Sequence, residues 1–226
     1  MNRRANPVPG ELHLPTEILA TILNELASDT EDNDTQTLAA LAACRLASHT
    51  FCSLATPLFF SSIQLTDIRL FSESRVKFFS NRVKILNQIL SSDHIANSVK
   101  TFMLHCRRED FASQPNGILI SKILHRLSHI QTFSLETLPS NWTRFSNLAE
   151  DFRSAIQVLC KSPNLTTLYL RNIEGFPITV IAACPNLRHL RLSSALPDVN
   201  LFCCPVQSQP LTLHSSSTAQ IQPMRH

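Results

Sequence analysis

Four short segments with one shape constrain the fold of this chain more than any other feature. Val99-x-x-Phe102-x-Leu104, Ile130-x-x-Phe133-x-Leu135, Leu165-x-x-Leu168-x-Leu170 and Leu187-x-x-Leu190-x-Leu192 all read apolar-x-x-apolar-x-apolar, with starts 31, 35 and 22 residues apart. Alternation of period two at the end of each segment predicts a strand with one buried face. Between them lie patterns with the period of a helix. Ser74 to Ser92 carries Phe78, Phe79, Val83, Leu86, Ile89 and Leu90; Ile118 to Leu127 carries Ile120, Ile123, Leu124 and Leu127; Asn147 to Cys160 carries Leu148, Phe152, Ile156 and Leu159. A further short strand is expected at Ile63-Gln64-Leu65. Strand and helix alternating at this interval mark either a repeat array or an ordinary α/β domain, and both stay open at this level.

The region before these segments is helical and apolar. Pro15 suits a first helical turn, where its missing N–H costs nothing. Ile18, Leu19, Ile22, Leu23 and Leu26 then form a stripe on the 3.6-residue period. A second apolar run holds Leu38, Leu41, Cys44, Leu46, Phe51, Leu54, Leu58, Phe59 and Phe60. Two or three short helices of this length enclose too little core to hide every large side chain, so part of the surface is expected to belong to a partner. The acidic stretch Ser28-Asp29-Thr30-Glu31-Asp32-Asn33-Asp34 between the two runs reads as a solvated loop.

Leu14-Pro15-x-Glu17-Ile18-Leu19, then Ile22-Leu23-x-x-Leu26, then Cys44-x-Leu46-Ala47-Ser48-x-x-Phe51-x-x-Leu54-Ala55-x-Pro57-Leu58-Phe59 resembles an F-box of the fungal type. His49 and Phe51 depart from the basic residue and the tryptophan more frequent in that family. The segments Cys160-Lys161-Ser162-Pro163-Asn164-Leu165 and Ala183-Cys184-Pro185-Asn186-Leu187 resemble the cysteine-containing leucine-rich repeats that often follow an F-box. The family's Asn or Cys three residues past the strand is missing; Asn172 and Cys106 stand one residue early.

The resemblance implies an α/β (α+β) chain. A disordered N-terminus (1–11) would precede a three-helix F-box (12–60), a short, irregular leucine-rich-repeat-like solenoid with a parallel sheet (61–195) and a poorly ordered tail (196–226). It implies a substrate-recognition subunit of a Skp–cullin–F-box type ubiquitin ligase, with Leu14, Pro15, Glu17, Ile18, Leu19, Ile22, Leu23, Leu46 and Phe51 on the Skp-type adaptor and, through it, on cullin. Outward strand residues, among them Met103, Ser134, Tyr169, His189 and Arg191, are the candidate contacts to a protein substrate; taken singly, each is equally explained as a solvated strand residue. The alternative is a leucine-rich-repeat scaffold or protein-binding module outside ubiquitin transfer.

Other classes find less in the sequence. Net charge is +3, which provides no broad basic field for nucleic acid. The nearest candidate set, Arg75, Lys77, Arg82 and Lys84, reads as a solvated helix face. No apolar run approaches a membrane span and no signal peptide is visible, so cytoplasm or nucleus is expected. Seven cysteines are scattered without a C-x-x-C, and Cys44, His49 and Cys52 fall inside an apolar helical pattern, so no metal is expected. Three glycines are too few for a phosphate-cradling loop, and no nucleophile elbow or H-E-x-x-H is present. A non-catalytic protein without a cofactor is the expectation.

Overall fold

The computed structural model describes residues 14–28, 35–66, 74–107, 114–137, 143–193 and 212–213. The chain divides into two compact units, Met1–Phe59 and Phe60–His226. The expected disordered 1–11 lies outside the described residues, as does nearly all of the expected tail. Among the described residues the class is mixed α/β, with eight helices and a parallel sheet.

The first unit holds α1 (Thr16–Ser28), α2 (Thr35–Ala47) and α3 (His49–Phe59). Helix α1 begins one residue later than the proline pattern suggests: the Pro15 carbonyl accepts from the N–H groups of Ile18 and Leu19, at 3.0 and 3.2 Å. Ser48 separates α2 from α3 and caps the latter. Its hydroxyl accepts the Phe51 N–H at 3.2 Å while its carbonyl accepts that of Cys52 at 2.8 Å, satisfying donors that a helix start leaves without partners. The core is small: Leu23, Leu41 and Ala55 are buried, with Leu26, Cys44, Phe51, Leu54, Leu58 and Phe59 packed against them. Arg45 fastens the last turn of α3, donating from Nε to Thr56 Oγ1 at 3.1 Å and lying 4.8 Å from the centre of the Phe59 ring.

The second unit runs β1 (Ser62–Thr66), α4 (Ser74–Ile89), α5 (Asp93–Ser98), β2 (Thr101–Cys106), α6 (Gln114–Arg126), β3 (Thr132–Thr137), β4 (Thr143–Arg144), a 3-10 turn (Phe145–Asn147), α7 (Glu150–Cys160), β5 (Thr167–Arg171), β6 (Ile173–Glu174), α8 (Ile178–Ala182), β7 (His189–Ser193) and β8 (Thr212–Leu213). The main sheet is parallel throughout, in the order β1-β2-β3-β5-β7-β8. Each strand therefore lies beside its predecessor, and the order never reverses. An open sheet whose order does reverse has a crevice at that point, which is where ligands usually enter; the main sheet has none.

Register turns the recurring sequence shape into rows. Ile63, Phe102, Phe133, Leu168 and Leu190 align across the strands, and Leu65, Leu104, Leu135, Leu170 and Leu192 form the next inward row. The Phe102 and Phe133 rings stack at 6.4 Å with 3° between their planes. The leading apolar residues Val99, Ile130 and Leu165 are fully buried. Helices α4, α6, α7 and α8 pack each on the next and supply Phe79, Val83, Ile120, Ile123, Phe152, Ile156 and Ile181 to the same core.

The connections repeat as well. The carbonyls of Ser61, Lys100, Gln131 and Thr166 each accept two successive N–H groups from the start of the following strand, at 2.8–3.0 Å. Asn164 and Asn186, equivalent by sequence, donate their amides to the carbonyls of Ser128 and Pro163 in the preceding turn. Beyond β5 the pattern breaks. Asn172 takes φ 59° and Gly175 φ 63°, left-handed values that asparagine and glycine tolerate best. Between them β6 pairs with β4, and Phe176 meets Phe145 edge to face at 4.7 Å. At the far end Thr212 and Leu213, from within the expected tail, pair with His189 and Leu190 as a sixth strand.

Candidate protein-binding surfaces

Each unit carries one surface of its own. Ile18 and Ile22, one turn apart on α1, share a face, and Leu14 stands just before the helix; Leu14, Ile18 and Ile22 are 53, 48 and 53% exposed. Pro15 and Glu17 are exposed beside them, and Leu19 is half-buried. Leu46, at the end of α2, is 89% exposed. Two of the nine expected adaptor contacts lie inward. Leu23 is 2% exposed and belongs to the small core, and Phe51 is half-buried against it. The reason is geometric: the apolar stripe of α1 is wider than the side α2 and α3 can cover, so one edge becomes core and the other remains free. Leu38, 38% exposed, joins the free apolar set; the sequence pattern alone does not separate it from the buried Leu41.

In the second unit helices cover one face of the sheet, and the burial alternation along β3 and β7 leaves the other face open. Three rows cross it. The first is Ser62, Thr101, Thr132, Thr167 and His189, of which Thr167 is buried; the second is Gln64, Met103, Ser134, Tyr169 and Arg191; the third is Thr66, His105, Glu136, Arg171 and Ser193. Met103, Ser134, Tyr169 and Arg191, chosen as separate outward residues, thus form one continuous row, with His189 two residues before Arg191. Gln64 and the third row were not singled out. They stand two residues past, or in register with, residues that were, so the period of two was a signal for them.

Electrostatics concentrate in the third row. Arg171 Nη1 is 3.0 Å from Glu136 Oε1, and His105 Nε2 is 3.9 Å from the same oxygen. Tyr169, Arg191 and His189 are exposed. Of the basic set on α4, Arg82 donates to the Thr66 carbonyl at 2.8 Å and lies 5.9 Å from the Phe78 ring centre, so it ties the helix to β1. Its surroundings are those of a packing residue and not of a phosphate contact.

Among the described residues no cluster of three or more His, Cys, Asp or Glu is placed to hold a metal ion. Cys44 and Cys52 are half-buried in the first unit, and the Cys52 sulfur lies 3.8 Å from Thr56 Oγ1. Cys160 and Cys184 are buried and free. The Cys160 thiol is pushed well above the usual thiol range, first by its hydrogen bond with Cys184 and then by burial, because both favour the protonated form. No described helix is long and apolar enough to cross a membrane. No protein-family model and no curated protein matches the chain.

Proposed function

We propose that the chain is the substrate-recognition subunit of a Skp–cullin–F-box type ubiquitin ligase. It would hold the Skp-type adaptor on the free face of α1 and a protein substrate on the open face of the parallel sheet. The observation that carries this reading is the set Leu14, Ile18 and Ile22, left half-exposed by a three-helix unit with a small core of its own. Each of these side chains is already about half covered, so a partner that covers the rest gains roughly half of the ~1.5–3 kcal/mol of full burial. The F-box resemblance of the same residues names the partner.

Catalysis then belongs to other subunits, and no cofactor is needed. The chain's contribution is proximity. Holding a substrate lysine beside a charged conjugating enzyme replaces a bimolecular encounter by an effectively unimolecular one. A sheet ordered by sequence suits this role, since every strand adds one more outward position to each row and the surface grows without a cleft.

A second reading, a protein-binding scaffold outside ubiquitin transfer, is favoured by the inward placement of Leu23 and Phe51, two of the expected adaptor contacts. It keeps the open sheet face and dispenses with the adaptor. Co-purification separates the two. The tagged chain should capture a purified Skp-type adaptor, and Ile18→Asp should abolish the capture with the circular dichroism unchanged. Wild-type protein that leaves the adaptor unbound would establish the scaffold reading instead.

A further inference from the structure

We propose that the open sheet face takes an extended acidic peptide segment of its protein substrate, with the carboxylates held at the β5–β7 corner. This deepens the reading of that face as the substrate-holding surface, and rests on it. Across β5 and β7 the register sets Thr167 beside His189, Tyr169 beside Arg191 and Arg171 beside Ser193. Among the described strand residues on that face Glu136 is the single carboxylate, and Arg171 at 3.0 Å already engages it. The Arg191 and His189 side chains are exposed and have no hydrogen-bond or ion-pair partner among the described residues. Among the described residues the corner therefore offers two uncommitted donors, Arg191 and His189, and no uncommitted carboxylate, a surface complementary to negative charge.

Spacing supports an extended ligand. His189 and Arg191 stand two residues apart on β7, roughly 6.6 Å at ~3.3 Å per residue. Alternate residues of an extended peptide are roughly 6.8 Å apart on one side, so a Glu-x-Glu places one carboxylate within reach of each of these two side chains. Tyr169, in register with Arg191 and exposed, supplies an apolar ring with a polar tip beside them. The Arg191 guanidinium offers bidentate pairing that an ammonium does not.

Fluorescence anisotropy on the full chain tests this, with a labelled twelve-residue peptide alternating Glu and Ala and its Gln counterpart. The Glu peptide should bind and the Gln peptide should not, with the affinity falling several-fold between about 50 and 300 mM salt. Arg191→Glu should weaken binding by about tenfold or more, and Arg191→Lys by less. Lys84→Glu, an equal charge change at an exposed position of α4, should leave binding nearly unchanged. If Arg191→Glu alters the circular dichroism, Arg191→Gln decides in its place. Absence of binding, equal binding of the Gln peptide, an equal loss from Lys84→Glu, or tighter binding of a labelled single-stranded oligonucleotide would each overturn the proposal. Adaptor capture by the same preparation keeps the two readings apart. Capture without acidic-peptide binding overturns this inference alone, and acidic-peptide binding without capture overturns the ligase reading alone.

Discussion

Asn172 and Thr137 are bonded to each other twice. The Asn172 side-chain amide donates to the Thr137 carbonyl at 2.6 Å, and the Thr137 hydroxyl donates to the Asn172 carbonyl at 2.9 Å. Both residues are buried, and Asn172 has positive φ. Asn172→Ala should therefore remove a buried hydrogen bond and force a Cβ-bearing residue without a local acceptor into the left-handed region. A loss of about 2–4 kcal/mol is expected. Asn172→Gly should cost less, because it keeps the backbone conformation and loses only the amide. Denaturant unfolding of the two variants checks the order; equal losses would mean that φ contributes nothing.

Leu168 and Leu190 share one inward row, but not one depth. Leu168 is fully buried, whereas Leu190 lies on β7, nearer the end of the sheet, at 8% exposure. Leu168→Ala should cost about 3–5 kcal/mol and Leu190→Ala nearer 2, since the more open site can relax around the missing atoms. Urea midpoints at constant slope provide the comparison.

Neighbouring residues of α1 should respond in opposite ways to the same substitution. Ile22→Asp, on the free face, should change stability by no more than about 0.5 kcal/mol while abolishing adaptor capture. Leu23→Asp places a carboxylate in the core beside Leu41 and Ala55 and should unfold the first unit. Circular dichroism paired with adaptor pull-down distinguishes them. Loss of helicity in Ile22→Asp would contradict the exposure of that face.

The Cys160 thiol is raised by its hydrogen bond with Cys184 and by burial, while the same hydrogen bond lowers the Cys184 thiol; the Cys160 share predicts a pH dependence on the alkaline side. Above about pH 8.5 the thiol of the unfolded chain ionises while that of the native chain does not. The unfolded state then binds fewer protons, so its contribution to stability is complete below that pH and declines as pH rises beyond it. Wild type should lose stability more steeply than Cys160→Ala between pH 8.5 and 10 in urea titrations. Alkylation of Cys160 at neutral pH should wait for unfolding, while the half-buried Cys44 and Cys52 react earlier.

The strands and most helices were legible in the sequence for a simple reason. A sheet covered on one side forces alternate residues inward, and Phe102-x-Leu104 or Leu168-x-Leu170 records that in the chain itself. The helices α4, α6 and α7 show the 3.6-residue period because each packs one side on the sheet. Short elements such as α5 and the β4–β6 pair left no periodic trace, since six residues or two are too few to repeat.

The linear order also determined which residues are outward, as period two assigns Met103, Ser134, Tyr169 and Arg191 to one side of their own strands. It did not determine that they form one row, because register depends on how the connections stack, through the Ser61, Lys100, Gln131 and Thr166 carbonyls. Nor did it separate Ile22 from Leu23. Both are large aliphatics on one stripe, and only the packing of α2 and α3 decides which is covered. In the sequence Asn172 stands one residue early for its repeat. Only the three-dimensional turn assigned its amide to Thr137, since a partner 35 residues away becomes a neighbour only when β3 and β5 lie side by side. Local patterns depend on the burial of each residue's own element, whereas rows, corners and crossed hydrogen bonds depend on which elements meet.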